Sequence, residues 1–162
     1  VLKELLPLDR VLEIGAGSGV VSAFIKGRAS IVATDISPCA AKCTKLNGID
    51  VIRADLFDGI KGKFDLIVFN PPYLPSGEKT NDWLDFTWDG GEDGRATINR
   101  FLRQVKSHLT DDGGFLLLVS SLSGVETVMK MMTSLGFGAE EVMSGRYFFE
   151  RLVVLKGRMT KD

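Results

Sequence analysis

Apolar residues along this chain fall into short continuous runs, separated by segments in which they recur every three or four positions. Continuous runs are how strands buried on both faces of a parallel sheet read, and the wider spacing is that of helices with one apolar face. The pattern predicts strands over Arg10 to Ile14, Ser30 to Thr34, Val51 to Ala54, Phe64 to Asn70, Gly114 to Ser120, Ala139 to Ser144 and Arg151 to Lys156. It predicts helices over Gly19 to Lys26, Pro38 to Asn47, Arg95 to Leu109 and Gly124 to Leu135. In the third helix Ile98, Phe101, Leu102, Val105 and Leu109 form one stripe, while Arg95, Arg100, Arg103 and Lys106 are expected simply to be solvated. Asp111 to Gly114 reads as a turn into Phe115 to Val119, the most clearly buried strand. The last two strands leave no room for a crossover helix and should pair antiparallel. The expected fold class is α/β: a seven-stranded, mostly parallel sheet with an antiparallel C-terminal strand and helices on both faces.

Composition narrows the reading. A chain of 162 residues, 44% hydrophobic and 25% charged, has the balance of one domain over residues 1–162. A net charge of −1 announces no general grip on nucleic acid or membrane. No apolar run approaches the roughly 18 residues of a bilayer span, and the first residues lack a signal-peptide pattern, so a cytoplasmic setting is expected. Cys39 and Cys43, four apart behind Ser37-Pro38, should share one helical face as small buried residues. No metal site is expected, because two thiols are too few ligands. His108, near a helix end, reads as structural.

Val11 to Gly19 runs from a strand into a helix through Gly15-Ala16-Gly17-Ser18-Gly19. Glycines there let the backbone turn tightly and approach a ligand. A nicotinamide enzyme would want another glycine where Val20 stands, so the spacing favours a different cofactor. Asp35 ends the second strand, where a carboxylate can accept hydrogen bonds from ribose hydroxyls, and Asp55 repeats the arrangement after the third. Glu13, Asp35 and Asp55 are expected to converge on one acidic crevice. Such a crevice suits a cofactor bearing a sulfonium and an ammonium better than a pyrophosphate. Ile36 and Leu56, beside the two aspartates, join Gly15, Ala16, Gly17 and Gly19 as candidate cofactor-binding residues.

Asn70-Pro71-Pro72-Tyr73 follows the fourth strand directly. Two prolines stiffen the turn and remove donors, leaving the Pro71 carbonyl and the Asn70 side-chain oxygen as acceptors. An NH2 group has two hydrogens to give to such a pair. A planar amide or amino nitrogen is a weak nucleophile, and two fixed acceptors can expose its lone pair; this is positioning and electrostatic work. Tyr73 can stack on the planar group. The expected catalytic residues are Asn70, Pro71, Pro72 and Tyr73, and Asn70 also borders the cofactor.

Glu13 to Gly19, Asp35, Asp55 and Asn70 to Tyr73 together resemble the motifs of class I methyltransferases of the Asn-Pro-Pro-Tyr group. That group includes N6-adenine DNA methyltransferases, rRNA guanine methyltransferases and the HemK-type release-factor glutamine methyltransferases. The resemblance implies a Rossmann-like fold and S-adenosylmethionine as cofactor, with S-adenosylhomocysteine as product. Trp88-Asp89-Gly90-Gly91-Glu92-Asp93-Gly94-Arg95 looks like the Gly-Gly-x-x-Gly stretch of the HemK type, closest to its short archaeal and eukaryotic members. That likeness implies as substrate the glutamine of the Gly-Gly-Gln loop in a translation termination factor. It also implies a small zinc-binding activator subunit, and an N-terminal segment preceding Val1.

The long stretch from Leu74 to Gly94 is expected to be functional. It carries Glu78, Asp82, Asp85, Asp89, Glu92 and Asp93 against Lys79, an acidic mouth that would repel phosphates. Trp83, Phe86 and Trp88 in it fit either a lid or an anchor to the core. Two other readings stay open: a methyltransferase acting on an amino group of a base in RNA or DNA, and a non-catalytic scaffold that keeps only the fold.

Overall fold

The computed structural model describes residues 8–73 and 90–160. Described strands are β1 (Arg10–Ile14), β2 (Ser30–Asp35), β3 (Val51–Arg53), β4 (Phe64–Phe69), β5 (Leu109–Ser120), β6 (Phe137–Tyr147) and β7 (Glu150–Met159). Described α-helices are α1 (Val20–Ile25), α2 (Pro38–Leu46), α3 (Ala96–Gln104) and α4 (Val125–Ser134). The strands form one sheet in the order β3-β2-β1-β4-β5-β7-β6. The first five are parallel, and β7 runs antiparallel to both β5 and β6. The expected mostly parallel α/β sheet with an antiparallel C-terminal strand is therefore observed.

The apolar runs become the two-sided core. On one side Phe101 of α3, fully buried, touches Phe69 at 4.9 Å between centroids and meets Phe115 edge-on at 5.5 Å; Phe115 in turn meets Phe137 edge-on. Tilted and edge-on ring pairs add to what area burial alone provides. Ile98, Leu102, Val105 and Leu109 complete the predicted stripe in the same cluster. Val11, Ile25, Leu66 and Leu116 form a second cluster.

Four expectations need correction. The α-helix ends at Gln104 and tightens into a 3-10 turn over Val105–His108, because Leu109 already pairs with Phe64 in the sheet. Asp111 to Gly114 is a bulge inside β5 rather than a turn before it: the neighbours of Phe64 and Leu66 are Leu109 and Gly114. The closing hairpin is longer than predicted, with Tyr147 paired to Glu150 across a tip at Phe148-Phe149. Cys39 and Cys43 do share a face of α2, but it is the exposed one. The buried contact of that helix is made by Thr44, whose hydroxyl donates to the Gly17 carbonyl at 3.1 Å.

His108 stacks on Phe57 at 4.4 Å and 9° between planes, as a structural residue would. Among the described residues no helix is long and apolar enough to cross a membrane, and no cluster of three or more His, Cys, Asp or Glu is arranged to hold a metal.

Candidate active site

The order β3-β2-β1-β4-β5 reverses direction between β1 and β4, so a crevice opens at the carboxyl ends of that pair. The glycine turn leaves β1 there and Asn70 leaves β4. A Cβ on Gly15 would stand 3.4 Å from the Phe69 ring and 3.7 Å from the Asn70 carbonyl, while nothing lies within 4 Å of that position on Gly17. Gly15 and Gly17 adopt φ of +64° and +58°, which other residues enter only with strain. The first glycine lets the turn lie against β4, and the second faces open space.

Three N–H groups of this turn are engaged from within the protein. Ala16 donates to the Thr34 carbonyl at 3.0 Å, Gly17 to Asp35 Oδ2 at 2.8 Å and Gly19 to the Ala16 carbonyl at 2.7 Å. Gly19 supplies no side-chain cap for α1. Instead Glu13, 5% exposed, accepts from the Ser22 amide at 2.9 Å and from the Ser22 hydroxyl. A carboxylate thus satisfies an orphan donor of the first helical turn, where a pyrophosphate would otherwise sit. Burial holds the Glu13 carboxyl above its ordinary range, and the nearby Asp35 charge adds to the rise against the lowering effect of the Ser22 hydrogen bonds.

Asp35, also buried, accepts from the Ser37 amide through Oδ1 at 2.8 Å while Oδ2 holds Gly17. A carboxylate has about four acceptor directions, so the remaining ones can take hydroxyls. Ile36 is half-buried, and its carbonyl accepts from Arg53 Nε at 3.3 Å. Leu56 is buried at φ +51°, its carbonyl receiving the Thr34 hydroxyl at 3.4 Å. Asp55 carries a partner of its own: its carboxylate accepts from Arg100 Nη2 at 2.8 Å. Of the three expected acids, Glu13 and Asp35 lie near enough for the charge of one to raise the pKa of the other. Arg100, expected to be only solvated, neutralises the third from α3.

At the exit of β4 the Asn70 side chain is exposed, Pro71 is buried, and Pro72 and Tyr73 are half-buried. The Tyr73 carbonyl accepts the Ser123 hydroxyl at 2.9 Å. Desolvation pushes the Tyr73 phenol above its ordinary range, and the Glu150 carboxylate pushes it further. Glu150 itself accepts from the Ser120 hydroxyl at 2.5 Å. Ser22, Ser120, Ser123 and Glu150 carried no expectation from sequence. The run Ser120-Ser121-Leu122-Ser123-Gly124 at the end of a buried strand was the available signal for two of them. Glu78, Lys79, Asp82, Trp83, Asp85, Phe86, Trp88 and Asp89 lie outside the described residues.

This cradle of two buried carboxylates beside an open glycine, with three N–H groups of the turn already paired, fits a ligand bearing hydroxyls and positive charge. Comparison with known proteins agrees. Residues 1–147 match the family model described as a methyltransferase small domain. A Methanocaldococcus jannaschii protein provisionally named a protein N5-glutamine methyltransferase is 40% identical over 155 residues, spanning 90% of this chain and 79% of its own. The human methyltransferase HEMK2 is 35% identical over 169 residues, 94% of this chain and 79% of its own. The E. cuniculi Mtq2-Trm112 complex, which methylates the eRF1 translation termination factor, contains a chain that superposes with a TM-score of 0.82 at 28% identity, covering 98% of this chain and 90% of that one. With nine-tenths of its length aligned to such relatives, and with its acceptor turn set beside a glycine turn at the sheet's switch point, the chain belongs to the methyltransferase small domain family, among the HemK-type enzymes.

Proposed function

We propose that this methyltransferase transfers the methyl group of S-adenosylmethionine to the side-chain amide nitrogen of a glutamine, the one in the Gly-Gly-Gln loop of a translation termination factor. The observation that carries the proposal is the donor-poor turn Asn70-Pro71-Pro72, which leaves β4 against the Gly15 backbone. S-adenosylmethionine, when bound, supplies an electrophilic methyl on a sulfonium. Asp35 would hold its ribose hydroxyls, the buried negative charge of Glu13 and Asp35 would suit its cationic end, and Ala16, Gly17, Ile36 and Leu56 would line its path. Asp55 would reach the same cofactor by sharing its carboxylate with Arg100.

The remaining work belongs to the turn. Asn70 Oδ1 and the Pro71 carbonyl each accept one hydrogen of the substrate NH2. Fixing both hydrogens fixes the direction of the nitrogen lone pair, which then points at the incoming methyl group. As the nitrogen gains positive character its N–H bonds become stronger donors, so the same two acceptors bind the transition state more tightly than the ground state. Tyr73 holds the face of the planar amide, and burial and Glu150 both hold its phenol above the ordinary range. The methylated nitrogen is then a strong acid, and its proton passes to water.

The edge around this turn favours a protein over a nucleic acid. Arg95 is paired with Asp93 at 2.7 Å, Arg100 with Asp55 at 2.8 Å and Arg151 with Glu141 at 2.9 Å. Each already has a carboxylate partner that a phosphate would have to displace. By analogy with the Mtq2-Trm112 complex, a small activator subunit is the proposed partner, and a zinc-binding one in keeping with the HemK-type resemblance.

The test is transfer of labelled methyl from S-adenosylmethionine, with and without such a subunit, to three acceptors: a termination factor, the same factor with its loop glutamine replaced, and an oligonucleotide. Label in the intact factor alone is the expected result. Label in the oligonucleotide alone would move the assignment to nucleic acid.

A further inference from the structure

Asn70-Pro71-Pro72-Tyr73 has a weakness built into its chemistry. Two prolines that strip it of donors for the substrate's sake also strip it of donors with which to fasten itself. A turn poor in N–H groups must be held by donors brought from elsewhere, and the structure shows where they come from.

The Ser123 hydroxyl donates to the Tyr73 carbonyl at 2.9 Å. Ser123 is fully buried, in the short 3-10 turn Ser121–Ser123 that follows β5. Its own carbonyl accepts from Arg95 Nη1 at 2.8 Å, and the other arm of that guanidinium reaches Asp93 Oδ2 at 2.7 Å. Gly94 closes the arrangement. A Cβ there would lie 2.5 Å from the Tyr73 carbonyl oxygen and 3.0 Å from Ser123 Oγ, and Gly94 sits at φ +70°. Gly90 is excluded from bearing a Cβ for a related reason, since one would stand 2.6 Å from the Gly94 Cα. The glycine pattern before α3 therefore makes room for the backbone of the acceptor turn.

We propose that Ser123, locked by Arg95 and admitted by Gly94, is a positioning residue for methyl transfer that clamps the acceptor turn at the Tyr73 carbonyl from outside the Asn-Pro-Pro-Tyr motif. The clamp acts one peptide beyond the prolines. Pro71 and Pro72 transmit its position stiffly back to the Pro71 carbonyl and Asn70, because their φ angles are fixed. Angular error at an acceptor raises the transfer barrier without touching the cofactor's own contacts. The role rests on the glutamine reading for its substrate, but not for its geometry.

The experiment compares Ser123→Ala, Arg95→Ala and Arg95→Lys with the full chain, counting active sites by calorimetric titration with S-adenosylmethionine. Single-turnover methyl transfer per titrated site is then measured on the termination factor in the presence of the activator subunit, and hydrogen exchange is followed in the peptide spanning residues 66–73. Ser123→Ala is expected to slow transfer per site about tenfold or more, with cofactor affinity within about twofold, and to speed exchange in that peptide. Arg95→Lys should recover at least part of the rate lost in Arg95→Ala, because a lysine keeps one charged donor for the Ser123 carbonyl. A purely structural serine would lower the number of titrated sites and leave the rate at each one unchanged, and that result would overturn the proposal. Should the parent chain, with the activator subunit present, fail to methylate the factor yet methylate an oligonucleotide more slowly per site after Ser123→Ala, the substrate reading falls and the clamp stands. An unchanged exchange rate would remove the clamp.

Discussion

The Gly17 amide donates to Asp35 Oδ2 at 2.8 Å, so the acid expected to grip a ligand already holds the glycine turn in shape. Its other oxygen takes the Ser37 amide at 2.8 Å, which fixes the start of α2. Asp35→Ala should therefore do two things at once. Affinity for S-adenosylmethionine should fall, and stability should fall by about 2 kcal/mol, the usual size for losing hydrogen bonds to a charged acceptor. Asp35→Asn, which keeps one acceptor oxygen, should lie between. Calorimetric titration and urea denaturation of the same samples separate the two effects. Undiminished affinity in Asp35→Ala would take the residue out of the pocket.

Glu13 offers a different test, because its raised folded-state pKa fixes a sign. A carboxyl whose pKa is higher folded than unfolded contributes stability that is present below the ordinary value of 4.5 and is lost as pH rises through the folded value. Glu13→Gln keeps an acceptor for the Ser22 amide without a charge to desolvate. Wild type should lose stability relative to Glu13→Gln as pH climbs from below 4.5 to above it. Thermal denaturation of both proteins across that interval reads the difference, and parallel curves would mean that burial does not control this carboxyl.

The parallel core of the fold was legible because continuous apolar runs leave little choice: Leu12, Ile67, Phe115 and Leu117 are all fully buried as the runs demanded. Glycine and proline motifs were equally readable, since Gly15 and Pro71 do their work through the backbone alone. What spacing could not reveal was pairing between side chains far apart in the chain. Asp55 and Arg100 are 45 residues apart, and each taken alone suggested a different role. Ser123 and Tyr73, 50 apart, meet only because β4 and β5 are neighbours in the sheet. Cys39 and Cys43 were misjudged for a similar reason. Their shared face followed from the helical period, but which face is buried depended on where Thr44 finds the glycine turn.

Tyr73 can be watched directly, since the chain has only two tyrosines. In a Tyr147→Phe background it is the sole phenol, and its ionisation can be followed by the phenolate absorbance. The midpoint is expected above the ordinary 10.0, with burial the larger cause and Glu150 the second. Glu150→Gln should bring it down, though not as far as an unburied phenol. A midpoint indifferent to Glu150→Gln would show that this carboxylate does not reach the tyrosine in solution.

Asn70 bears the sharpest expectation, because only its side-chain oxygen has a task in transfer and its NH2 group has none. Asn70→Ala removes the acceptor, and methyl transfer at saturating substrate should fall at least about a hundredfold, the scale typical of deleting one preorganised partner of a transition state. Affinity for S-adenosylmethionine should stay nearly unchanged, since the glycine turn, Glu13 and Asp35 remain in place. Asn70→Asp retains an acceptor at almost the same position and should transfer methyl faster than Asn70→Ala. Single-turnover rates with a termination factor, measured beside cofactor titrations, decide the matter. If Asn70→Asp were as slow as Asn70→Ala, the amide's donors would be part of the site, and the acceptor-only account of this turn would have to be abandoned.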